Sequence, residues 1–313
     1  LCNDQTQERI DVKVGLSGRF KFDVRKPDGS IEELLPWFDN LITDGGLNRW
    51  GTGAPFLNCQ VGTGTNQPAV GDTALQTLLA TTTTVAQISN TAQSAPPYYQ
   101  TVILQYTFPQ GGVIGNIAEV GVGFPGGLWS RARIKDAGGV DTTITVVALD
   151  QLIVSYELRF NIPNVDVVTN QTIGGVSTTI TTRAANVTGA TWVGGGQLAL
   201  TVLNSSSGFG SYGPTVSTTM GAYDGAIGAI TSTPTGTSVQ SSVVTRGAYS
   251  NNSLFVDLTG TFSIAQGNLA GGIDAVSLIT YPGQWQMGFV PPIVKVNTQV
   301  LTVPFRLSWA RGA

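Results

Sequence analysis

Five acids stand where chemistry could be done: Asp39, Asp44, Asp72, Glu119 and Asp274. Two carboxyl groups about 5 to 9 Å apart can cleave a glycosidic bond, one serving as acid and the other as base or nucleophile. Glu119 and Asp274 fall near matching places in two segments of like pattern, "IAEVGVGF" (Ile117 to Phe124) and "IDAVSLIT" (Ile273 to Thr280). An acid on the polar face of a strand is the plainer reading of each. The chain has no histidine, so no serine or cysteine has the usual base to activate it. A serine–lysine arrangement stays formally open, yet Lys13, Lys21, Lys26, Lys135 and Lys295 sit in no motif. With no histidine and two cysteines, Cys2 and Cys59, zinc sites of the usual kind are excluded. The two thiols allow one disulfide at most. The sequence calls for no cofactor, no metal and no catalytic residue.

Two glycine motifs invite a phosphate reading and fail it. Gly121, Gly123 and Gly126 have the spacing of a dinucleotide fingerprint. That fingerprint needs a helix next, to aim amides at a pyrophosphate, whereas "LWSRARI" reads as another strand. A hairpin bend is expected instead. "VGTGTNQP" lacks the lysine and helix of a P-loop; a tight turn with positive φ at Gly62 and Gly64 is expected.

The elements around these residues read as strands. Gly occurs 40 times, and charged residues make up 11% of the chain against about 25% in an average soluble protein. The net charge is −3, with no basic run to meet nucleic acid. No apolar run reaches the ~18 residues of a membrane-crossing helix. Apolar alternation over Val12, Val14 and Leu16, then Phe20, Phe22 and Val24, predicts two strands. "KPDG" predicts a turn into a return strand, and the mixed charges of this region predict an exposed hairpin with cross-strand pairs. Trp37, Phe38, Leu41 and Ile42 fit one helical stripe, with Pro36 at its start and Gly45–Gly46 as its stop. A second short helix is expected in "GDTALQTLLATTTT", capped by Asp72 or Thr73. In "QLIVSYELRF", Ile153, Ser155, Glu157 and Arg159 point away from the apolar face and predict one wet side. Pro304 demotes the final strand to an edge or requires a bulge. The Thr- and Ser-rich stretch from 167 to 250, which includes Trp192, is expected to be ordered, exposed β-structure.

The fold class expected is mainly β: two antiparallel β-sandwich-like domains with one or two short helices in the first. Residues 1–163 form the first domain and residues 164–313 the second. The boundary lies near Pro163, because residues 166–313 hold nine charged side chains against 26 in the first 165. The second half reads as a diverged copy of the first. "VLTVPFRLSW" (Val300 to Trp309) repeats the apolar phase of "QLIVSYELRF" (Gln151 to Phe160), and "GTFSIAQGNLAGG" echoes "YTFPQGGVIGN". Trp129 and Trp309 are assigned to the core. Trp37, Trp50, Tyr98, Tyr99 and Trp285 are the candidates for contact with a neighbouring chain or a sugar.

Three stretches carry a resemblance: "WFDNLITDGGLNRWG", then "CQVGTGTNQPAVGDTALQTLLATT", then "IAEVGVGF" followed by "LWSRARIKDAGGVDTTITVVALDQLIVSYELRF". In this order they resemble a recurrent module of tailed-bacteriophage virion proteins, over roughly residues 19–162. Residues 166–313 carry no such resemblance and lack both the "NLIT" and the "SRAR" segments. The resemblance implies a structural part of a tail, a fibre or baseplate-proximal protein, made in the host bacterial cytoplasm and carried in the virion. Its implied partners are other virion structural proteins and copies of itself, a trimer first, with a host surface glycan or receptor as a further partner. A capsid decoration or collar protein, or a tailspike that binds or cleaves polysaccharide, is the alternative.

Overall fold

The computed structural model describes residues 9–53, 58–93, 95–187, 215–241 and 243–312. Cys2, Trp192 and the rest of 188–214 lie outside the described residues. The chain is mainly β, with several sheets and, among the described residues, one α-helix.

The chain opens with β1 (Ile10–Arg25), β2 (Ile31–Asp39) and β3 (Leu41–Ile42), then α1 (Asp44–Gly51). Next come β4 (Asn58–Gly62), β5 (Leu78–Thr82), β6 (Val85–Ala92), β7 (Tyr99–Thr107) and β8 (Gly115–Ile117). β9 (Glu119–Phe124), β10 (Gly127–Arg133), β11 (Ile144–Val146) and β12 (Gln151–Asn161) follow. The remainder holds β13 (Val167–Ile173), β14 (Val176–Ala184), β15 (Thr215–Tyr223), β16 (Ser238–Gln240) and β17 (Val243–Arg246). It closes with β18 (Phe255–Phe262), β19 (Ile273–Tyr281), β20 (Gln284–Ile293) and β21 (Leu301–Arg311).

An eight-stranded sheet runs β17-β18-β21-β1-β12-β7-β6, with β2 also paired to β1. A five-stranded sheet runs β3-β10-β9-β4-β5, a six-stranded one β13-β14-β20-β19-β15-β16, and β8 pairs β11. The order β12-β7-β6 recurs as β21-β18-β17, and β10-β9-β4-β5 recurs as β20-β19-β15-β16. The segments with matching apolar phase fall on these corresponding strands. Their flanking strands share β1, with β12 antiparallel to it and β21 parallel, so the largest sheet crosses the Pro163 position.

Side chains from the sheets meet in one core. Trp129 on β10 donates its indole N–H to the Tyr156 hydroxyl on β12 at 3.0 Å. Burial pushes the Tyr156 phenol up to about 12, so it stays protonated at any ordinary pH. Phe20 packs against Tyr156 with ring centres 5.0 Å apart and the rings tilted by 39°. Residues 164–313 also grip the helix: Tyr249 donates to Asn48 Oδ1 at 2.8 Å, and the Trp309 indole donates to the Leu47 carbonyl at 3.0 Å.

Several local expectations are corrected. Trp37 and Phe38 are in β2, and Leu41 and Ile42 form β3; the helix begins later, at Asp44, with Thr43 as its N-cap. Gly45 and Gly46 lie inside that helix and do not stop it. Pro36 sits in a bulge: Phe22 faces Leu35 and Phe20 faces Phe38, so β2 spends one extra residue there. That bulge turns Leu35 and Phe38 inward and mimics a helical spacing. The expected pair of strands before "KPDG" is one strand of 16 residues. "GDTALQTLLATTTT" forms turns and then β5, not a helix. Pro304 is on an interior strand without a bulge, paired to Thr259. The β1 ladder starts one residue later, at Phe305, so proline has no ladder bond to lose on that side.

Thr43 does two jobs at the helix start. Its hydroxyl oxygen accepts from the Gly46 amide at 2.9 Å, and the hydroxyl donates to the Leu128 carbonyl at 2.5 Å. Thr43→Ala removes the cap and leaves a buried amide and carbonyl without it, a loss of about 1–2 kcal/mol. Urea denaturation of the purified variant checks this. Cys59 is a free, fully buried thiol on β4, and burial pushes its pKa up. Alkylation at pH 8 is therefore expected to spare Cys59 in the folded chain and to modify it in denaturant, as peptide mass mapping would show.

Candidate functional site

The site grows from alternation on two paired strands. β9 and β10 form a hairpin whose bend is at Gly126, with φ of +85°. The glycine-spaced segment thus makes the expected bend. Arg133 lies opposite Glu119 in this hairpin, and Arg131 opposite Gly121. Arg131 and Arg133 are two residues apart, so they share a face, and that face is buried. Buried charges need partners, and these find them in the loop from Thr63 to Thr77.

Glu119 is wholly buried. Its Oε1 accepts from the amides of Gly64 at 3.0 Å and Thr77 at 2.8 Å. Its Oε2 accepts from the Gln76 amide at 3.1 Å and from Arg131, with Nε at 3.0 Å and Nη2 at 2.8 Å. Arg131 reaches onward to Asp72 Oδ2 at 2.5 Å and to the Asn66 carbonyl at 3.1 Å. Asp72 accepts from the Ala69 amide at 2.9 Å. Gln76 Oε1 accepts from both Thr65 and Asn66 amides at 2.7 Å. Arg133 donates to the carbonyls of Gly64 at 2.6 Å and Ala118 at 2.7 Å. A loop of this length with no helix or strand of its own is thereby fixed from behind at both ends and the middle.

The glycines of "VGTG" serve this network in an unexpected way. Neither Gly62 nor Gly64 has positive φ. A Cβ on Gly64 would come 2.3 Å from Glu119 Oε1, and one on Gly62 would come 2.4 Å from the Thr77 carbonyl. Close approach of a carboxylate and a backbone, not turn geometry, excludes a side chain at both.

A cleft of about 280 Å³ lies beside the loop, lined by Asn48, Arg49, Thr52, Asp72, Thr73 and Phe124 among others. The Arg49 guanidinium stacks over Phe124, 4.7 Å from the ring centre. The volume is at the lower limit of small-molecule pockets.

The five aromatic candidates divide. Trp50, Tyr98 and Trp285 are buried by the chain itself. Trp50 meets Trp309 edge-on at 4.8 Å, and Trp285 donates to Thr280 Oγ1 at 2.9 Å. Trp37 and Tyr99 are half-buried at the two ends of one charged row. Arg19 lies 5.4 Å from the Trp37 ring centre and pairs with Glu157 at 2.6 Å; Arg159 also pairs with Glu157 and lies 4.5 Å from Tyr99. The expected wet side of β12 is mostly covered: Ile153, Ser155 and Glu157 are each 3% exposed or less. Long charged side chains lying flat across the sheet account for this at Glu157.

Glu119 and Asp274 stand in different sheets, the first on β9 and the second on β19. Asp39 ends β2 and Asp44 opens the helix, where it pairs with Arg311. Among the described residues no group of three or more acids, cysteines or histidines could hold a metal ion, and no helix is long and apolar enough to cross a membrane. Gln76 was not singled out from the sequence, Arg131 and Arg133 stood there only within the "SRAR" segment, and Glu157 only on the expected wet side of its strand. Two arginines alternating in an otherwise apolar strand were the available signal.

No protein-family model, curated protein or solved structure matches the chain.

Proposed function

We propose that the chain is a structural component of a tailed-bacteriophage virion, a tail-fibre or baseplate-proximal protein that assembles with copies of itself and with other virion proteins. It serves attachment to the host. One observation carries this reading: the residues of the phage-like motifs converge on a single buried network whose product is a rigid, exposed loop. "VGTG", "DTAL", "IAEVG" and "SRAR" supply Gly64, Asp72, Glu119, Arg131 and Arg133, and Gln76 directly follows "DTAL". The loop from Thr63 to Thr77 has one charge, Asp72, already paired, so it can be covered by a partner without stranding an ion. Glu119 commits both oxygens to amides and an arginine, which suits an architectural part better than a glycosidase acid. The repeated strand order supports reading the two halves as a duplication.

Labelling purified particles with an antibody to this chain, viewed by electron microscopy, is expected to decorate the tail. Light scattering on the expressed protein is expected to give a multiple of 32.7 kDa. A monomer that labels no particle sinks the reading. Release of reducing sugar from host polysaccharide, lost in Asp274→Asn, would replace it with a tailspike hydrolase.

A further inference from the structure

The hairpin β13–β14 presents an edge strand with none of the usual guards. Its register is unbroken from Val167–Thr182 to Ile173–Val176, and its Gly174–Gly175 turn has positive φ at both glycines, 60° and 85°. No charged residue occurs between Asp166 and Arg183, and those two pair with each other at 2.5 Å. β14 gives its far side to β20, while β13 has no second neighbour among the described residues. Val167, Val168, Thr169 and Asn170 are exposed in succession, so both faces of this strand are open. Soluble β proteins guard such edges with charges, proline, bulges or shortness. The chain does so elsewhere: β6 has a register break at Gln87–Ser89, β16 is three residues long, and β17 ends in Arg246.

We propose that β13 is a self-pairing edge: two copies of this chain join antiparallel across a two-fold axis at Asn170, making their six-stranded sheets continuous. The occupant is a second copy because the strand reads alike in both directions. Centred on Asn170, the pairing sets Val167 against the partner's Ile173, Val168 against the partner's Thr172, and Thr169 against the partner's Gln171. Apolar residues meet at the ends and polar ones in the middle, the kind of cross-strand matching that stabilises a sheet. Two chains of net charge −3 repel overall, and a strip without charge is where they can touch. This names one contact of the homo-oligomer proposed above and rests on that part of it.

The axis makes the test sharp. Asn170 faces itself, so Asn170→Lys or Asn170→Asp sets like charges directly opposite. Each variant alone is expected to weaken self-association at least tenfold by sedimentation, with an unchanged far-UV spectrum; an equimolar mixture of the two recovers the paired mass. In a Cys2→Ser background, Asn170→Cys is expected to form a disulfide-linked dimer under mild oxidation. Val168→Cys does not, since it would sit ~13 Å from its own copy along the paired strands. If both charged variants keep the wild-type mass, or the two cysteine variants cross-link alike, this edge is wrong while the oligomer stands. A wild-type chain that remains monomeric overturns both.

Discussion

Glu119→Gln is expected to destabilise the folded chain by about 3–5 kcal/mol, the range for breaking a buried ion pair by removing one partner. The substitution keeps shape and removes only charge and one acceptor. Every lone pair of Glu119 that the protein uses faces a donor: two amides on Oε1, an amide and a guanidinium on Oε2. Whichever oxygen becomes NH₂, two donors then point at a donor. A neutral hydrogen bond is worth only about 1 kcal/mol net, so the large term is the loss of the buried counter-charge of Arg131, 3% exposed and left with the half-buried Asp72 as its one carboxylate and the Asn66 carbonyl. The urea midpoint should fall, and amide exchange should quicken first at Gly64, Gln76 and Thr77. A change below about 1 kcal/mol would mean that water or backbone shifts replace the carboxylate cheaply. The loop would then not be the rigid surface on which the functional reading relies.

Much of the fold was legible because period-two alternation survives wherever one face is buried. β12 and β21 follow from it directly, as does the hairpin bend at Gly126. The misreadings share a cause. At Trp37 to Ile42 a bulge at Pro36 inserts one residue, and a period of two plus one imitates three to four. In "DTALQTLLA" only Leu75 is buried, while Leu78 and Leu79 are exposed on a strand. A helical pattern of leucines with no surface to pack on does not make a helix. The candidate site was half legible. Glu119 stood out, but as an acid on a polar face; its partners come from a loop that only the tertiary fold brings within reach. The aromatic candidates show the same limit, since local sequence cannot tell Trp50, walled in by Phe160 and Trp309, from Trp37, capped by one arginine.

The glycines that open the helix provide the second large effect, and local propensity predicts it with the wrong sign. Alanine in place of a helical glycine ordinarily stabilises by up to about 1 kcal/mol. At Gly46 a Cβ would stand 2.2 Å from the Trp129 carbonyl oxygen, 2.9 Å from its carbon and 3.0 Å from its Cα. All three are backbone atoms, so no rotamer change can make room. That carbonyl also accepts from the Thr43 amide at 3.0 Å, and the Trp129 indole holds Tyr156, so retreat of β10 breaks the cap and the link between the sheets together. Overpacking of this kind costs about 1–3 kcal/mol or more, against the propensity gain. Gly46→Ala is therefore expected to lose about 2 kcal/mol net. Gly45→Ala is the control: its Cβ would meet the Leu128 carbonyl at 3.3 Å, Thr43 Oγ1 at 3.5 Å and Phe124 Cζ at 3.7 Å, none closer than that, so its stability should stay within about 0.5 kcal/mol of wild type. Equal effects at the two positions in urea denaturation would mean that the helix is not seated against β10 as closely as this. The Thr43 cap would then have no fixed wall to hold.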